Sequence, residues 1–418
     1  MSIGYACLTI GVPLSNFKTC TIKNAFENNL MKIIQYNINS LESMIDYNIN
    51  NHIKLFRITS DLIPFGSSPV NKISWENIFS ERLLKIGEKI LTNHIRVSMH
   101  PGQYTVLNSP NPQVVNNAIE DLNYHTKVLD HLGLSSEHKI VLHIGGVYND
   151  KPMSMERFIT NYQKLKDAVK KRLVIENDDK SYTIEEVLYI GKRLNCPVIF
   201  DNLHNKINPS MELKSEFDWI LECKNTWKTC DGMQKIHYSQ QNPLKNPGSH
   251  SETIRVQEFM DFYNSLNRQD IDIMLEVKDK NLSAIKCINA TTTNKEIYRL
   301  EQEWSKYKYT ILEKSQSDYV EIRQLLKKKE EYPVITFYNI IERALQNEYT
   351  VGGAVNAAQH VWGYFKDYAS DKEKESFLKN MMLLEEGKIS TKRIKKQLWN
   401  MAEKYKQTYL LNCYYFNL

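Results

Sequence analysis

The stretch that decides the fold is residues 140–176, IVLHIGGVYNDKPMSMERFITNYQKLKDAVKKRLVIE. It begins with a short β-branched run, Ile140–His143, and ends with another, Leu173–Glu176. Between the two runs, apolar residues recur at the period of a helix over Met155–Val169. A strand, a helix and a second strand in this order predict a βαβ unit with parallel strands. The two strands end on His143 and Glu176, both of which can bind a metal ion.

The same alternation recurs through the first 280 residues. The predicted strands are Ile3–Cys7, Lys54–Ile58, Arg96–His100, Ile140–His143, Leu173–Glu176, Val198–Asp201, Lys235–Tyr238 and Ile271–Glu276. Eight strand–helix units in a segment of this length predict an α/β fold, the (β/α)8 TIM barrel. A doubly wound parallel sheet is the alternative. No GxGxxG or Walker A pattern follows any strand, which disfavours a nucleotide-phosphate site.

Composition excludes several classes of protein. The chain has 418 residues, of which 42% are hydrophobic and 25% charged, as is usual for a soluble globular protein. No apolar run approaches the roughly 18 residues of a membrane span, and the N-terminus lacks the charged segment of a signal peptide. Seven cysteines without paired spacing predict reduced thiols and a cytoplasmic protein. The net charge of +5 permits nucleic-acid binding without requiring it.

The alternation of strands and helices stops after residue 280. Residues 281–297 are largely polar and contain the run ATTTN, which predicts a linker. From 298 to 418 the periodicity is helical. We therefore expect a barrel domain at 1–280, a linker at 281–297 and an all-helical C-terminal domain at 298–418. The basic run Lys392–Lys396 in that domain is interpreted as a solvated helix face, with a DNA- or partner-contacting face as the alternative.

Residues with metal-ligand chemistry collect at the ends of the predicted strands or in the loops that follow. They are His100, His143, Glu176, Asp201, His204, His237, His250 and Glu276. Barrel enzymes build their sites at the C-terminal ends of the strands, so we expect these side chains to converge. Imidazoles and bridging carboxylates suit a site for more than one first-row cation. Such a site could hydrolyse a phosphodiester or isomerise a sugar carbonyl, and the pattern leaves both reactions open.

Seven segments, in chain order, carry a family resemblance over about residues 1–280. They are FRITSDLIPFGS (56–67), RVSMHPGQYTVLNSPNP (96–112), VLHIGG (141–146), VIENDD (174–179), VIFDNLHN (198–205), KIHYS (235–239) and NPGSH (246–250). Together they resemble the ultraviolet damage endonucleases of bacteria and fungi. The resemblance implies a TIM barrel similar to endonuclease IV that nicks DNA immediately 5′ to cyclobutane pyrimidine dimers, 6-4 photoproducts and some abasic sites. This metal-activated hydrolysis would initiate an alternative excision repair.

The resemblance also assigns roles to the residues at the strand ends. It implies a cluster of two or three divalent ions, most often Mn²⁺, with Mg²⁺, Co²⁺ and Zn²⁺ as alternatives. The family's ligand positions correspond to His100, His143, Glu176, Asp201, His204, His237, His250 and Glu276. Catalysis is expected to depend on Glu176, His143 and Lys235. Lys235 matches a lysine that the family can carboxylate, and its i, i+2 spacing to His237 places both on one face of the strand.

Contacts to DNA are implied by the same resemblance. Gln103 and Tyr104 match a pair that the family inserts into the duplex at the lesion. Insertion fits the need to take a damaged base out of the stack before reacting with its strand. Tyr5 matches a family tyrosine near the lesion pocket. The expected partner is damaged double-stranded DNA, bound by a monomer that makes no membrane contact.

The chain departs from the family at one predicted ligand. Ser68 stands where many members carry a histidine, so the number of ions, two or three, stays open. Two other interpretations remain: a TIM-barrel sugar isomerase or epimerase, and a catalytically decayed protein that binds lesions. The region 298–418 lies outside the catalytic family and is similar to an uncharacterised helical domain of other prokaryotic proteins.

Overall fold

The computed structural model describes residues 1–212 and 214–418. The chain divides into two compact units. The barrel unit comprises residues 1–254 and 262–285, and the helical unit comprises residues 255–261 and 286–418. Among the described residues, we find no helix that combines the length and the apolar character needed to cross a membrane.

The barrel unit is built on eight parallel strands. They are β1 (Ile3–Ala6), β2 (Leu55–Ile58), β3 (Arg96–Met99), β4 (Ile140–His143), β5 (Leu173–Glu176), β6 (Val198–Ile199), β7 (Gln234–Tyr238) and β8 (Ile271–Leu275). They pair in the order β6-β5-β4-β3-β2-β1-β8-β7. An isolated bridge between Asp201 and His237 joins the β6 and β7 edges. The predicted TIM barrel is thereby confirmed, and the doubly wound sheet is wrong.

Helices follow the strands and then fill the remainder of the chain. In chain order they are α1 (Glu27–Asn50), α2 (Trp75–Ile78), α3 (Ser80–Thr92), α4 (Pro112–His131), α5 (Lys151–Gln163), α6 (Asp167–Arg172), α7 (Ile184–Leu194), α8 (Asn202–Ile207), α9 (Glu216–Lys224), α10 (Val256–Ser265), α11 (Asn281–Thr291), α12 (Ile297–Lys314), α13 (Gln316–Leu325), α14 (Val334–Gln346), α15 (Val351–Trp362), α16 (Asp371–Glu385), α17 (Thr391–Lys404) and α18 (Thr408–Leu411). Short 3₁₀ turns occur at Ile22–Asn24, Ser60–Leu62, Thr229–Asp231 and Tyr414–Phe416.

Burial explains why the strands are rich in β-branched and apolar residues. Every residue of β1, β5, β7 and β8 is buried, as expected for parallel strands covered by helices. The helix α7 shows how local sequence sets the covering layer. Thr183 and Glu186 form a capping box at its start, and Asn195, in the left-handed conformation at φ 55°, ends it. Its apolar side, which includes Val187 and Ile190, is buried.

Residues 281–291 form helix α11, which corrects the predicted linker. The polar residues that suggested a linker are buried with specific partners. Asn281 is fully buried, and its amide accepts from the Ile10 N–H at 2.6 Å and donates to the Ile10 carbonyl oxygen at 3.0 Å. Lys286 forms an ion pair with Glu342 at 2.7 Å. The division between the two units therefore falls within α11, after residue 285, and residues 292–296 alone connect this helix to α12.

The helical unit has its own core, formed mainly by α12, α15, α16 and α17. Trp362 and Phe377 stack with ring centroids 4.2 Å apart and an interplanar angle of 6°. Gly353 permits the close approach of α15 to α12, because a Cβ there would lie 2.4 Å from the Glu313 carbonyl oxygen. The predicted all-helical character of the C-terminal region is confirmed.

Candidate metal centre

Strand register brings the predicted ligands together at the C-terminal mouth of the barrel. His143, the last residue of β4, is in register with Glu176, the last residue of β5. Asp201, two residues after β6, is bridged to His237 of β7. These four residues, which are distant in sequence, therefore lie at the ends of neighbouring strands on one side of the barrel. Enzymes of this fold carry their active sites at that end.

Two sets of three ligand atoms lie close enough to hold a cation. The sets are His100–His143–Glu176 and Glu176–Asp201–His237, and within each set the atoms lie within 4.8 Å of one another. The Nε2 atoms of His100 and His143 are 3.4 Å and 3.8 Å from Oε2 of Glu176. The other carboxylate oxygen, Oε1, is 2.8 Å from Nδ1 of His237. Glu176 belongs to both sets and would therefore contribute to both sites if each held an ion.

Four buried polar atoms of this cluster have no hydrogen-bond partner among the described residues. They are His143 Nδ1, Glu176 Oε2, Asp201 Oδ2 and His237 Nε2. Leaving a buried polar atom unpaired costs about 1–3 kcal/mol, so a group of them in one place requires an explanation. Nitrogen and carboxylate oxygen atoms are the donors that first-row divalent ions accept. The residues present therefore fit a metal cluster.

His204, His250 and Glu276 border the two sets. The Nδ1 atom of His204 donates to the Asn177 carbonyl oxygen at 2.9 Å, which leaves Nε2 of the same ring for another partner. His250 Nε2 lies 3.6 Å from Oε2 of Glu276, and Nδ1 of His237 lies 3.4 Å from Oε1 of Glu276. These three side chains are close enough to supply further ligands.

The cluster shifts the titration of its own members. Burial opposes ionisation of Glu176, but the nearby His237 and His143 outweigh burial and hold its pKa well below the ordinary carboxyl value. Burial raises the pKa of Asp201 to about 6. Burial disfavours the charged form of His204, yet the carboxylates of Asp201, Glu176 and Glu276 together outweigh burial and raise the pKa of that ring to about 9. A cation that bound here would therefore compete with protons on Asp201 and His204.

Two basic side chains interact electrostatically with the ligands. Lys235 is 1% exposed and lies two residues before His237 on β7. Burial, followed by the charges of Arg96 and Arg57, holds the pKa of Lys235 well below the ordinary lysine value. A neutral amine is the form of lysine that reacts with carbon dioxide, so the environment suits the predicted carboxylation. Arg57 forms an ion pair with Glu276 and was missed by the sequence prediction.

Sequence reasoning also missed the side chains that position the ligands. The Asn177 side chain donates to the Asp201 carbonyl oxygen at 3.1 Å and accepts from the Asp201 N–H at 2.9 Å. His125 is buried, and its Nε2 lies 2.8 Å from Ser60 Oγ. Ser60 in turn donates to the His100 carbonyl oxygen at 2.9 Å. The place of Asn177 within the VIENDD segment is the one signal that could have identified it.

A cavity of about 740 Å³ opens beside the cluster. His143 and His204 contribute to its wall, together with residues 101–106 of the loop that follows β3. Gln103 and Tyr104 belong to this loop, and Tyr104 is 83% exposed. The predicted insertion pair thus lies at the rim of the cavity that contains two candidate ligands.

The loops after β3 and β4 are tied to each other at this cavity. Asn108 donates from its side chain to the Gly146 carbonyl oxygen at 2.7 Å. Gly145, at φ 110°, could not carry a side chain, because a Cβ would lie 2.4 Å from Oδ1 of Asn108. The glycines of the LHIGG segment therefore let the two loops meet closely.

Two predicted positions lie elsewhere. Tyr5 is completely buried, and its hydroxyl group hydrogen-bonds Thr9 Oγ1 at 2.6 Å and Asn48 Oδ1 at 2.8 Å. The hydroxyl group of Tyr5 is therefore enclosed and paired in this structure, and the DNA contact predicted for Tyr5 stays a prediction. Ser68 lies in the loop after β2, where its Oγ accepts from the Val70 N–H at 3.3 Å.

Comparison with known proteins identifies the family. The model of the family described as UV-endonuclease UvdE matches residues 1–308. The chain belongs to the UvdE family. Residues 308–418 match a second family, described as a protein of unknown function (DUF1722). The resemblance expected from the sequence motifs is confirmed.

Named relatives of this UvdE-family chain cover most of its length. It is 40% identical over 407 residues to the UV DNA damage endonuclease of Clostridium perfringens (strain 13 / Type A), covering 95% of this chain and 96% of the relative. It is 32% identical over 281 residues to the UV DNA damage endonuclease of Bacillus cereus (strain G9842), covering 66% and 88%. The crystal structure of SacUVDE matches with a TM-score of 0.65 and 40% identity, over 69% of this chain and 96% of that one.

Proposed function

We propose that this protein nicks DNA at the phosphodiester immediately 5′ to ultraviolet photoproducts. Cyclobutane pyrimidine dimers, 6-4 photoproducts and abasic sites form its substrate range. Membership of the UvdE family and the names of its relatives support a nuclease that acts on ultraviolet-damaged DNA. The observation that carries the proposal is the group of buried, unpartnered ligand atoms around Glu176 at the mouth of the barrel.

The proposed cofactor is a cluster of two or three Mn²⁺ ions. His100, His143 and Glu176 would hold one ion, and Glu176, Asp201 and His237 a second. His204, His250 and Glu276 stand close enough to complete these sites or to hold a third. Bound divalent ions would lower the pKa of water and stabilise the charge that develops on the leaving oxygen of the phosphate. Carboxylated Lys235 would add one more anionic ligand.

The residues of the chain have distinct tasks in this proposal. Glu176 joins the two ion sites, and His143 presents its ring to both the cluster and the neighbouring cavity. Asn177 and Ser60 fix the backbone that carries Asp201 and His100. Gln103 and Tyr104 enter the duplex and hold the lesion out of the base stack, for which their exposed position suits them.

A dimer is a favourable lesion for such an enzyme because its bases already stack and pair poorly. Extruding it costs less free energy than extruding normal bases, so deformability contributes to the choice of substrate. We further propose that the protein acts as a monomer in the cytoplasm. Free cysteines throughout the described part of the chain agree with a reducing compartment.

A nicking assay tests the proposal. The protein is incubated with Mn²⁺ and a labelled duplex bearing one cyclobutane dimer, beside an undamaged duplex. We expect a single nick just 5′ to the dimer, which EDTA abolishes, and no nick in the control. Lesion binding without metal uptake would show a decayed nuclease. Ketose–aldose exchange without DNA binding would show a sugar isomerase or epimerase.

A further inference from the structure

The helical unit contains a cavity of its own, of about 610 Å³, to which the proposed nuclease reaction assigns no role. It lies between the end of α12, the first half of α17 and residues 416–418. Four lysines and three aromatic rings contribute to its wall. They are Lys314, Lys392, Lys395, Lys396, Tyr349, Trp399 and Phe416.

The lysines of this cavity are of two kinds. Two of them have partners. Lys395 pairs with the buried Glu313 at 2.6 Å and donates to the Leu418 carbonyl oxygen at 2.9 Å, and Lys314 donates to the Asn347 carbonyl oxygen at 2.9 Å. Lys392 and Lys396 are exposed and make no hydrogen bond or ion pair with any residue that the structure describes. They stand four residues apart and therefore on one face of α17. Two uncompensated positive charges thus flank a concave surface.

The start of α17 reinforces the positive potential. Its first turn contains no acidic residue, and Ser390, the N-cap residue, makes no side-chain capping hydrogen bond. The N-terminal end of a helix carries partial positive charge, and basic residues there are unfavourable unless an anion is present. Lys392 lies in this first turn. The arrangement costs stability in the free protein and is relieved by a bound anion.

The aromatic wall indicates what kind of anion. Trp399 is half-buried and lies one helical turn beyond Lys396 on α17. Phe416 meets it edge to face, with ring centroids 5.3 Å apart and an interplanar angle of 73°. A partly exposed ring beside cations is the combination that binds a nucleotide, because the base stacks on the ring while the phosphate contacts lysine.

We propose that this cavity binds a short segment of single-stranded nucleic acid. Lys392 and Lys396 contact consecutive phosphates, and Trp399 stacks against a base. A duplex is disfavoured because its bases are already stacked on both faces. An acidic peptide would use the lysines but not the ring, and a lipid surface calls for a protruding rather than a concave site. The site does not depend on the nuclease reaction proposed above.

The test uses the full chain and an undamaged fluorescent oligodeoxycytidine of about eight nucleotides. EDTA is added to remove divalent ions and so prevent cleavage at the candidate metal centre of the barrel. Anisotropy gives the affinity of the wild type, of K392E/K396E and of W399A. The matched control is K372E/K379E, which makes the same charge change at two exposed α16 lysines outside the cavity. Circular dichroism confirms that each variant is folded.

We expect K392E/K396E to weaken binding at least about tenfold and to lower the slope of log affinity against log salt by about 1.4, or 0.7 per phosphate contact. W399A should weaken binding about fivefold or more, and the control should match the wild type. Equal affinities for K392E/K396E and the control would overturn the proposal. So would charge-dependent binding to an acidic peptide or to phosphatidylglycerol vesicles without binding to the oligonucleotide.

Discussion

The two ends of the barrel both bury charged side chains, but they use them differently. At the N-terminal end, Lys139 binds Asp231 at 2.5 Å and the Lys171 carbonyl oxygen at 2.7 Å. Arg172 there binds Asp130 at 2.6 Å as well as nearby carbonyl oxygens. At the C-terminal end, four atoms of the ligand cluster have no partner among the described residues.

This difference shows that burial of charge is not by itself a sign of function. Paired charges at the N-terminal end close the barrel and contribute to its stability. Unpaired buried atoms at the C-terminal end destabilise the fold. Such destabilisation is expected at functional sites, where the binding of a ligand offsets it. Both ends bury polar groups. The end that holds the candidate metal centre is distinguished by buried polar atoms that lack hydrogen-bond partners among the described residues.

The largest expected effect follows from Glu176→Gln, which changes the carboxylate shared by both ion sets. We expect nicking of dimer-containing duplex to fall on the order of 10³-fold or more, because neither ion set keeps its bridging anion. Circular dichroism of the metal-free variant should show that it is folded, so that the loss of nicking reports on the site. The control is Glu88→Gln at an exposed position of α3. A folded Glu176→Gln protein with full nicking activity would refute the assignment of the site.

Lys139→Met tests the opposite end of the barrel. It leaves the Asp231 carboxylate buried without its cation, so we expect unfolding free energy to fall by about 3–5 kcal/mol. Nicking per folded molecule should be unchanged. Lys85→Met, which breaks the exposed pair with Glu81, should cost less than about 1 kcal/mol. If Lys139→Met proved as harmless as Lys85→Met, the contrast between the two ends would fail.

The pH dependence of Mn²⁺ binding gives a finer comparison. Binding requires Asp201 ionised and His204 neutral, and their pKa values in the metal-free protein are about 6 and about 9. Binding therefore releases protons, and affinity should rise with pH, steeply below 6 and further up to 9, by at most about tenfold per pH unit for each proton. Titration calorimetry at several pH values measures this.

The variant His204→Ala should release one proton fewer for each Mn²⁺ ion bound, because only the Asp201 proton remains to be displaced. The His204 charge lowers the pKa of Asp201, so the rise that remains should extend to higher pH in this variant. Mn²⁺ affinity that is independent of pH from 5 to 9 in the wild-type protein would contradict the linkage.

The smallest expected effect concerns Tyr104, which is exposed and belongs to neither set of buried charges. Tyr104→Ala should reduce the preference for damaged over undamaged duplex about fivefold and change unfolding free energy by less than about 0.5 kcal/mol. Leu244→Ala, which removes a 92% exposed side chain from the loop after β7, is the control. An equal loss of affinity for both duplexes would argue against insertion of Tyr104 at the lesion.

Sequence alone predicted the barrel because parallel strands covered on both faces need short apolar runs, and few other segments of this chain have them. The predicted strand ends differ from the observed ones by two residues at most. The largest difference is at β6, because Asp201 leaves the strand to cap α8, accepting a hydrogen bond from the His204 N–H at 2.8 Å. Histidines at strand ends likewise predicted which side chains meet at the mouth.

Features that depend on partners distant in the chain were not predictable. The residues of α11 resemble a linker until the contacts of Asn281 and Lys286 are known. Arg57 is an ordinary strand residue until Glu276, far along the chain, is placed beside it. Tyr5 is a different case. The family resemblance matched it to a tyrosine near the lesion pocket, but a motif does not show whether a side chain is buried, as Tyr5 is.

The junction of β6 with β7 has a mechanical consequence. β6 contains only two residues, and an isolated bridge between Asp201 and His237 joins it to β7, with a hydrogen bond from the His237 N–H to the Phe200 carbonyl oxygen at 3.0 Å. The Asn202 side chain adds two hydrogen bonds to the Ser239 backbone, at 2.8 Å and 3.1 Å. Asp201 and His237 supply ligands of one ion set. An ion bound by both residues would cross-link β6 to β7. Removal of such an ion by a chelator should therefore accelerate amide hydrogen exchange first in β6 and β7. The pairing of these two strands, which closes the barrel, would then depend in part on the bound ion.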